Sequence, residues 1–126
     1  MMAFDAYKIL DEREAGSVID LIAPCMDDYL YIIDLKNDTL RISQSAVDRF
    51  MLPDKFMNDA TKHLRTLVYE KDRKLLENHK RKICDGKEKR YNVLCRLISG
   101  KNLPVWINCR GEVINDNEGK PHYIIG

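Results

Sequence analysis

Cys109, Arg110 and Gly111 stand side by side near the end of the sequence, a thiol next to a cation and a residue that lets backbone approach closely. A guanidinium beside a cysteine can lower its pKa and make it a nucleophile, provided the two side chains point the same way. The flanking residues argue against that. From Val105 to Ile114 apolar and polar residues alternate, and successive side chains of a strand take opposite faces. Cys109 then shares a side with Val105, Ile107 and Val113, while Arg110 looks away with Asn108 and Glu112. Cys109 is expected to behave as a small buried hydrophobe with a normal or raised pKa.

The other reactive side chains are scattered. Cys25, Cys84, Cys95 and Cys109 show no Cys-x-x-Cys spacing, and nothing suggests export, so reduced thiols are expected. His63, His79 and His122 stand at no metal-ligand spacing with them, and no structural zinc is expected. The neighbouring acids Asp27 and Asp28, and Asp116 with Glu118, fall in turns, where carboxylates cap and bend the chain. No glycine-rich loop leads from a strand into a helix, and "GKNLP" sits in a hairpin, which leaves no phosphate cradle. His79 shares a helical face with Leu75, Leu76 and Ile83 and reads as a packed, hydrogen-bonded residue.

These residues need a scaffold, and 126 residues suffice for one core. With 44% hydrophobic and 33% charged residues the chain reads as globular. It has no apolar run of the roughly 20 residues that span a bilayer. The start, "MMAFDAYKIL", lacks the order of a secretory signal, so the cytoplasm is the expected location. Twenty-one basic and 20 acidic residues nearly cancel, leaving no overall field for nucleic acid or an anionic membrane. The basic run "HKRKICDGKEKR" reads as a solvated face.

Residues 3–22 place Phe4, Tyr7, Leu10, Val18, Leu21 and Ile22 at spacings a helix gathers to one side, and Gly16 and Ser17 are the residues able to break it in two. "YLYIIDLKNDTLRIS" reads as a hairpin turning at Lys36, Asn37 and Asp38. Helical patterns follow from Ser45 to about Leu52, around Leu64 to Val68, and from about Asp72 to Cys84, with Gly86 as terminator. "KRYNVLCRLI" and "LPVWINCRGEVI" alternate as strands, and "HYIIG" begins a last strand after the turn "NDNEGKP". Pairing the first two across "SGKN" sets Cys95 opposite Cys109 and Leu97 opposite Ile107. The order gives an α+β domain.

That order, with "VWINCRGEVINDNEGKPHYIIG" at its end, resembles a PAS domain. The likeness rests on Trp106, Gly111, Asp116, Gly119, Lys120, Pro121 and Ile125-Gly126, and extends back through the first hairpin, "VYEKDRKLL" and "DGKEKRYNVLCRL". It covers about residues 28–126 and is most similar to PAS sensors placed before bacterial diguanylate cyclase or cyclic-di-GMP phosphodiesterase domains. Where such domains often carry a proline this chain has Glu70, which leaves the entry to the long helix less rigidly set.

The resemblance implies a five-stranded antiparallel sheet with short helices on one face, preceded by a flanking amino-terminal helix. Residues 1–24 form that helix, a cap or dimer contact, and residues 25–126 the PAS domain. It implies a non-catalytic sensory module, with a diguanylate cyclase or phosphodiesterase output domain elsewhere in a parent protein. The space under the concave sheet face would be lined by Ile33, Leu76, His79, Tyr91, Val93, Cys95, Ile107 and Cys109, and would hold a small apolar ligand or a filled core. No cofactor is expected. "NCR" lies on a strand here and not on the helix that carries the photoactive cysteine of the flavin-binding branch, and haem ligation through His79 is disfavoured against ordinary packing. A homodimer is expected, with Phe4, Tyr7, Leu10, Val18, Leu94, Ile98 and Trp106 as its contacts, the helix pairing with its copy or covering the outer sheet face near Leu94, Ile98 and Trp106. The alternative is a closed-core protein–protein interaction domain without a ligand.

Overall fold

The computed structural model describes residues 12–126. Phe4, Tyr7 and Leu10 of the expected dimer contact lie outside the described residues. Helix α1, Glu12–Ile22, continues through Gly16 and Ser17 without a break, and a short 3-10 turn at Ala23–Cys25 carries Pro24. Gly16 is buried, and a Cβ there would come within 2.8 Å of Arg41 Nη1. The glycine therefore admits a close neighbour to the helix.

Strands β1 (Tyr31–Asp34) and β2 (Thr39–Ile42) form the expected hairpin. Its turn is held by the buried Asp34 carboxylate, which accepts the backbone N–H groups of Lys36 and Asn37 and the Asn37 side-chain amide. Helix α2 (Gln44–Phe50) ends on Met51 in the left-handed region. Strand β3 (Phe56–Asn58) precedes α3 (Ala60–Leu67), a 3-10 turn (Glu70–Asp72) and α4 (Arg73–Cys84). Strands β4 (Arg90–Ile98), β5 (Pro104–Asn115) and β6 (Pro121–Ile125) complete the chain.

The sheet has six strands in the order β3-β2-β1-β6-β5-β4, all paired antiparallel, and not the five expected. The additional strand, β3, is three residues long, too short for alternation to declare it, and exists through its pairing with β2.

The β4–β5 register also differs from the expected one. Cys109 pairs with Val93, Cys95 with Ile107 and Leu97 with Val105, a slip of two residues. The tip decides it: Asn102 adopts φ 60°, its N–H bonds Ser99 O at 2.9 Å, and Ser99 N–H reaches Leu103 O at 2.9 Å, which sets Ile98 opposite Pro104. A slip of two keeps every side chain on its face, so Val93 and Cys95 are buried while Leu94 and Trp106 remain exposed.

Two buried clusters lie between the sheet and helices α2 and α3: Leu40, Met57 and Ala60, and Ala46, Phe50 and Leu67. A third lies on the opposite sheet face, where Ile19 of α1 covers Ile32, with Tyr123 and Ile125 beside it. Helix α1 thus sits over β1 and β6 rather than over Leu94, Ile98 and Trp106. On α4, Ile83 is fully buried with Leu76 and His79 half-buried two turns and one turn before it, but Leu75 is 42% exposed, because its position is rotated about 100° from Leu76. Gly86, at φ 74°, ends α4 with Gly86 N–H to Ile83 O and Lys87 N–H to Lys82 O, a Schellman stop.

The entry to α4 is firmly set despite Glu70. Asp72, 8% exposed, accepts the Arg96 backbone N–H at 2.8 Å, Nε at 2.9 Å and Nη2 at 2.8 Å. The guanidinium also lies against the rings of Tyr69 and Trp106. Tyr69 N–H bonds Arg96 O and Val68 bridges Leu97, so the segment before α4 covers part of the β4 edge.

Candidate functional site

The concave face of β4 and β5 gathers polar groups that alternation alone spreads along two strands. Cys109 and Val93 are direct cross-strand partners, as are Cys95 and Ile107. Tyr91 lies two residues before Val93 on the same face, and the His79 ring of α4 meets the Tyr91 ring edge-on at 5.6 Å. Six of the eight residues expected to line this space therefore meet here: His79, Tyr91, Val93, Cys95, Ile107 and Cys109. Leu76 lies one turn before His79 on α4. Ile33 packs instead with Leu40, Met57 and Ala60.

Tyr31 belongs to this group. Its hydroxyl stands 3.3 Å from Cys109 Sγ. Alternation within β1 carries the signal, since Tyr31 is two residues before Ile33 and shares its face. Gly111 gives the phenol room: a Cβ there would stand 3.0 Å from Tyr31 Oη.

The phenols and thiols of the cluster stay protonated near neutral pH. Burial, above all, raises the Tyr31 phenol far beyond its ordinary value, with the neighbouring Cys109 adding to it. Tyr91 is raised for the same leading reason, with Cys109 and Cys95 contributing. Burial pushes Cys95 up to about 11 and raises Cys109, although the Tyr31 hydrogen bond opposes the latter. Arg110, exposed on the other face, does not activate the thiol. The arrangement offers hydrogen bonds and apolar contact, with both thiols held in their less reactive protonated form. One polar atom is left over: His79 Nδ1 is buried with no hydrogen-bond partner.

The thiols supply a direct check. Cys25 and Cys84 are exposed, Cys95 buried and Cys109 half-buried. In the folded chain near neutral pH, Cys25 and Cys84 are expected to be alkylated rapidly, and Cys95 and Cys109 only after denaturation. Peptide mapping by mass spectrometry reads the order; fast labelling of Cys109 would contradict the geometry.

Among the described residues no group of three or more His, Cys, Asp or Glu side chains is placed to hold a metal ion, and no helix is long and apolar enough to cross a membrane. Of the expected outer-face contacts, Val18, Leu94 and Trp106 are exposed and Ile98 half-buried.

Solved structures share this arrangement of sheet and helices. A domain of a histidine kinase from Haloarcula marismortui, a kinase described as light and redox sensing, superposes with a TM-score of 0.67 at 17% identity, over 91% of this chain and 95% of that one. The amino-terminal domain of a diguanylate cyclase with PAS/PAC sensor from Marinobacter aquaeolei gives 0.66 at 16% identity, over 78% of this chain and 89% of that one. A sensory box histidine kinase/response regulator from Burkholderia thailandensis gives 0.66 at 14% identity, over 84% and 78%. The fold is that of PAS sensor domains. No protein-family model and no curated protein matches the chain.

Proposed function

We propose that this chain is a non-catalytic sensory module that regulates an output domain of diguanylate cyclase or cyclic-di-GMP phosphodiesterase type. It acts through a ligand on the concave face, through dimerisation, or both. The observation that carries this reading is the polar cluster under the helices: His79 Nδ1 lacks a partner, while Tyr91 beside it and Tyr31, Ile107 and Cys109 on the same sheet face keep partial exposure. Neutral phenols and thiols among apolar side chains suit a small, uncharged, largely apolar ligand that offers one hydrogen-bonding group to His79 or Tyr91. A ligand of this kind shifts signalling only by the difference in its affinity for two arrangements of the domain. A cytoplasmic location belongs to the same proposal.

Native mass spectrometry with an absorbance spectrum of the purified chain tests this. A co-purifying neutral compound that raises Tm when added back, and loses that effect in Cys109→Phe, is the expected result. A ligand-free chain whose Tm no apolar compound raises would favour the second reading, a closed-core interaction domain. Exposed Leu94, Leu103 and Trp106 supply the surface for that reading. The homodimer is tested separately: a chain lacking residues 1–22 is expected to lose it, and an unchanged oligomer would remove α1 from the contact.

A further inference from the structure

We propose that the cleft between α1 and the β2–β3 pair, on the far side of the sheet from the tyrosine–cysteine cluster, is a binding site for a small oxyanion held by Arg41. The cleft measures about 240 Å³ and is lined by Gly16, Asp20, Arg41, Asp54, Lys55 and Phe56. Its size falls below the roughly 300–1,000 Å³ of sites for drug-sized molecules, which suits a short carboxylate or a phosphate.

Arg41 is the residue left without a counterpart. Its Nε is buried with no hydrogen-bond partner, and no carboxylate among the described residues stands within ion-pair distance of its guanidinium. The acids that line the cleft have partners of their own within it: Asp20 pairs with Lys55 Nζ at 3.2 Å, and Asp54 accepts the Lys55 backbone N–H at 2.7 Å. A half-buried guanidinium with an aromatic ring beside it but no counter-ion is costly, and an oxyanion in the cleft removes that cost.

The guanidinium is also held in place. It lies over the Phe56 ring at 4.7 Å, and the two residues are cross-strand partners, so the ring is fixed by the sheet. Ile42 N–H bonds Lys55 O at 2.8 Å and extends that pairing to the cleft wall. On the other side Gly16 supplies the space, since any Cβ would stand 2.8 Å from Nη1. A planar fork of donors so positioned matches the paired oxygens of a carboxylate or a phosphate. The ligand would touch α1 and the sheet at once and so fasten the flanking helix to the domain. This site stands independently of any ligand on the concave face.

The full chain, titrated with sodium succinate or with inorganic phosphate at fixed ionic strength with chloride as reference, tests the proposal through backbone amide NMR. Saturable shifts at Gly16, Asp20, Arg41, Lys55 and Phe56 are expected with at least one probe, and the responding probe tells carboxylate from phosphate. Arg41→Gln should weaken that response roughly ten- to hundredfold, the range for charge-assisted hydrogen bonds. Arg41→Lys keeps the charge and the stem but not the fork, guards against a folding defect in the first variant, and should lose about tenfold. No saturable shift with either probe, affinity unchanged in either variant, or shifts centred on Tyr91 and Cys109 instead would overturn the assignment.

Discussion

Leu40→Ala is expected to lower the unfolding free energy by about 2–5 kcal/mol, the range for truncating a fully buried leucine. Leu40 is 1% exposed and sits on β2, with β1 on one side and β3 on the other. It closes on Met57 and Ala60 and is flanked by Tyr31, Ile33, Ile42, Leu52 and Leu64, so a cavity there has walls from both strand neighbours and from α3. Backbone pairing on both sides holds these walls apart and limits how far the site can collapse. Leu94→Ala makes the contrast, since Leu94 is 59% exposed on the outer face and its loss should change stability by less than about 0.5 kcal/mol. Urea unfolding of both variants reads the difference; similar losses would mean that β3 is not part of the core.

Asp72→Ala is expected to lower Tm more than Asp116→Asn. Removing the Asp72 carboxylate leaves the Arg96 guanidinium and its backbone N–H without their acceptor and frees the start of α4 from β4. Asp116→Asn instead keeps an amide oxygen for the Glu118 and Lys120 backbone N–H groups and gives up only the charge facing Lys36, whose half-exposed ammonium is readily resolvated. Acid titration separates the same two groups. The Arg96 side-chain hydrogen bonds hold Asp72 below the ordinary carboxylate value, and Lys36 foremost holds Asp116 down to about 2. Both folded pKa values are depressed, so the stability they contribute is present above the unfolded value near 4 and is lost as pH falls from there through the folded values. Each single variant should flatten the fall of Tm across that acid range, and the double variant should flatten it further. A slope that matches wild type in both would place the acid sensitivity elsewhere.

Much of the fold was legible because its signals are local. The hairpin turn at Lys36, Asn37 and Asp38, the Gly86 stop and the alternation of β4 and β5 follow from turn chemistry and a period of two, and the structure has each of them. Leu75 was misplaced since Leu75 and Leu76 compete for one helical face and periodicity alone does not choose between adjacent apolar residues. The Asp72–Arg96 pair was illegible for a different reason: its members lie 24 residues apart, in segments that read separately as the start of a helix and a strand. Arg41 gave no signal either, because nothing in its neighbours reports that Gly16 and Phe56 enclose it.

The chain's own pattern determined which side chains face the helices and which face outward, and with that the neutrality of Cys109. Strand alternation is a property of consecutive residues, and a two-residue slip leaves it unchanged. Only the tertiary structure decided the slip itself, the sixth strand, the seat of α1 over Ile32, and the meeting of Tyr31 with Cys109 across 78 residues of sequence. These depend on how the Ser99–Asn102 tip closes and on which surfaces fill one another's gaps, and such complementarity is set between segments far apart in the chain.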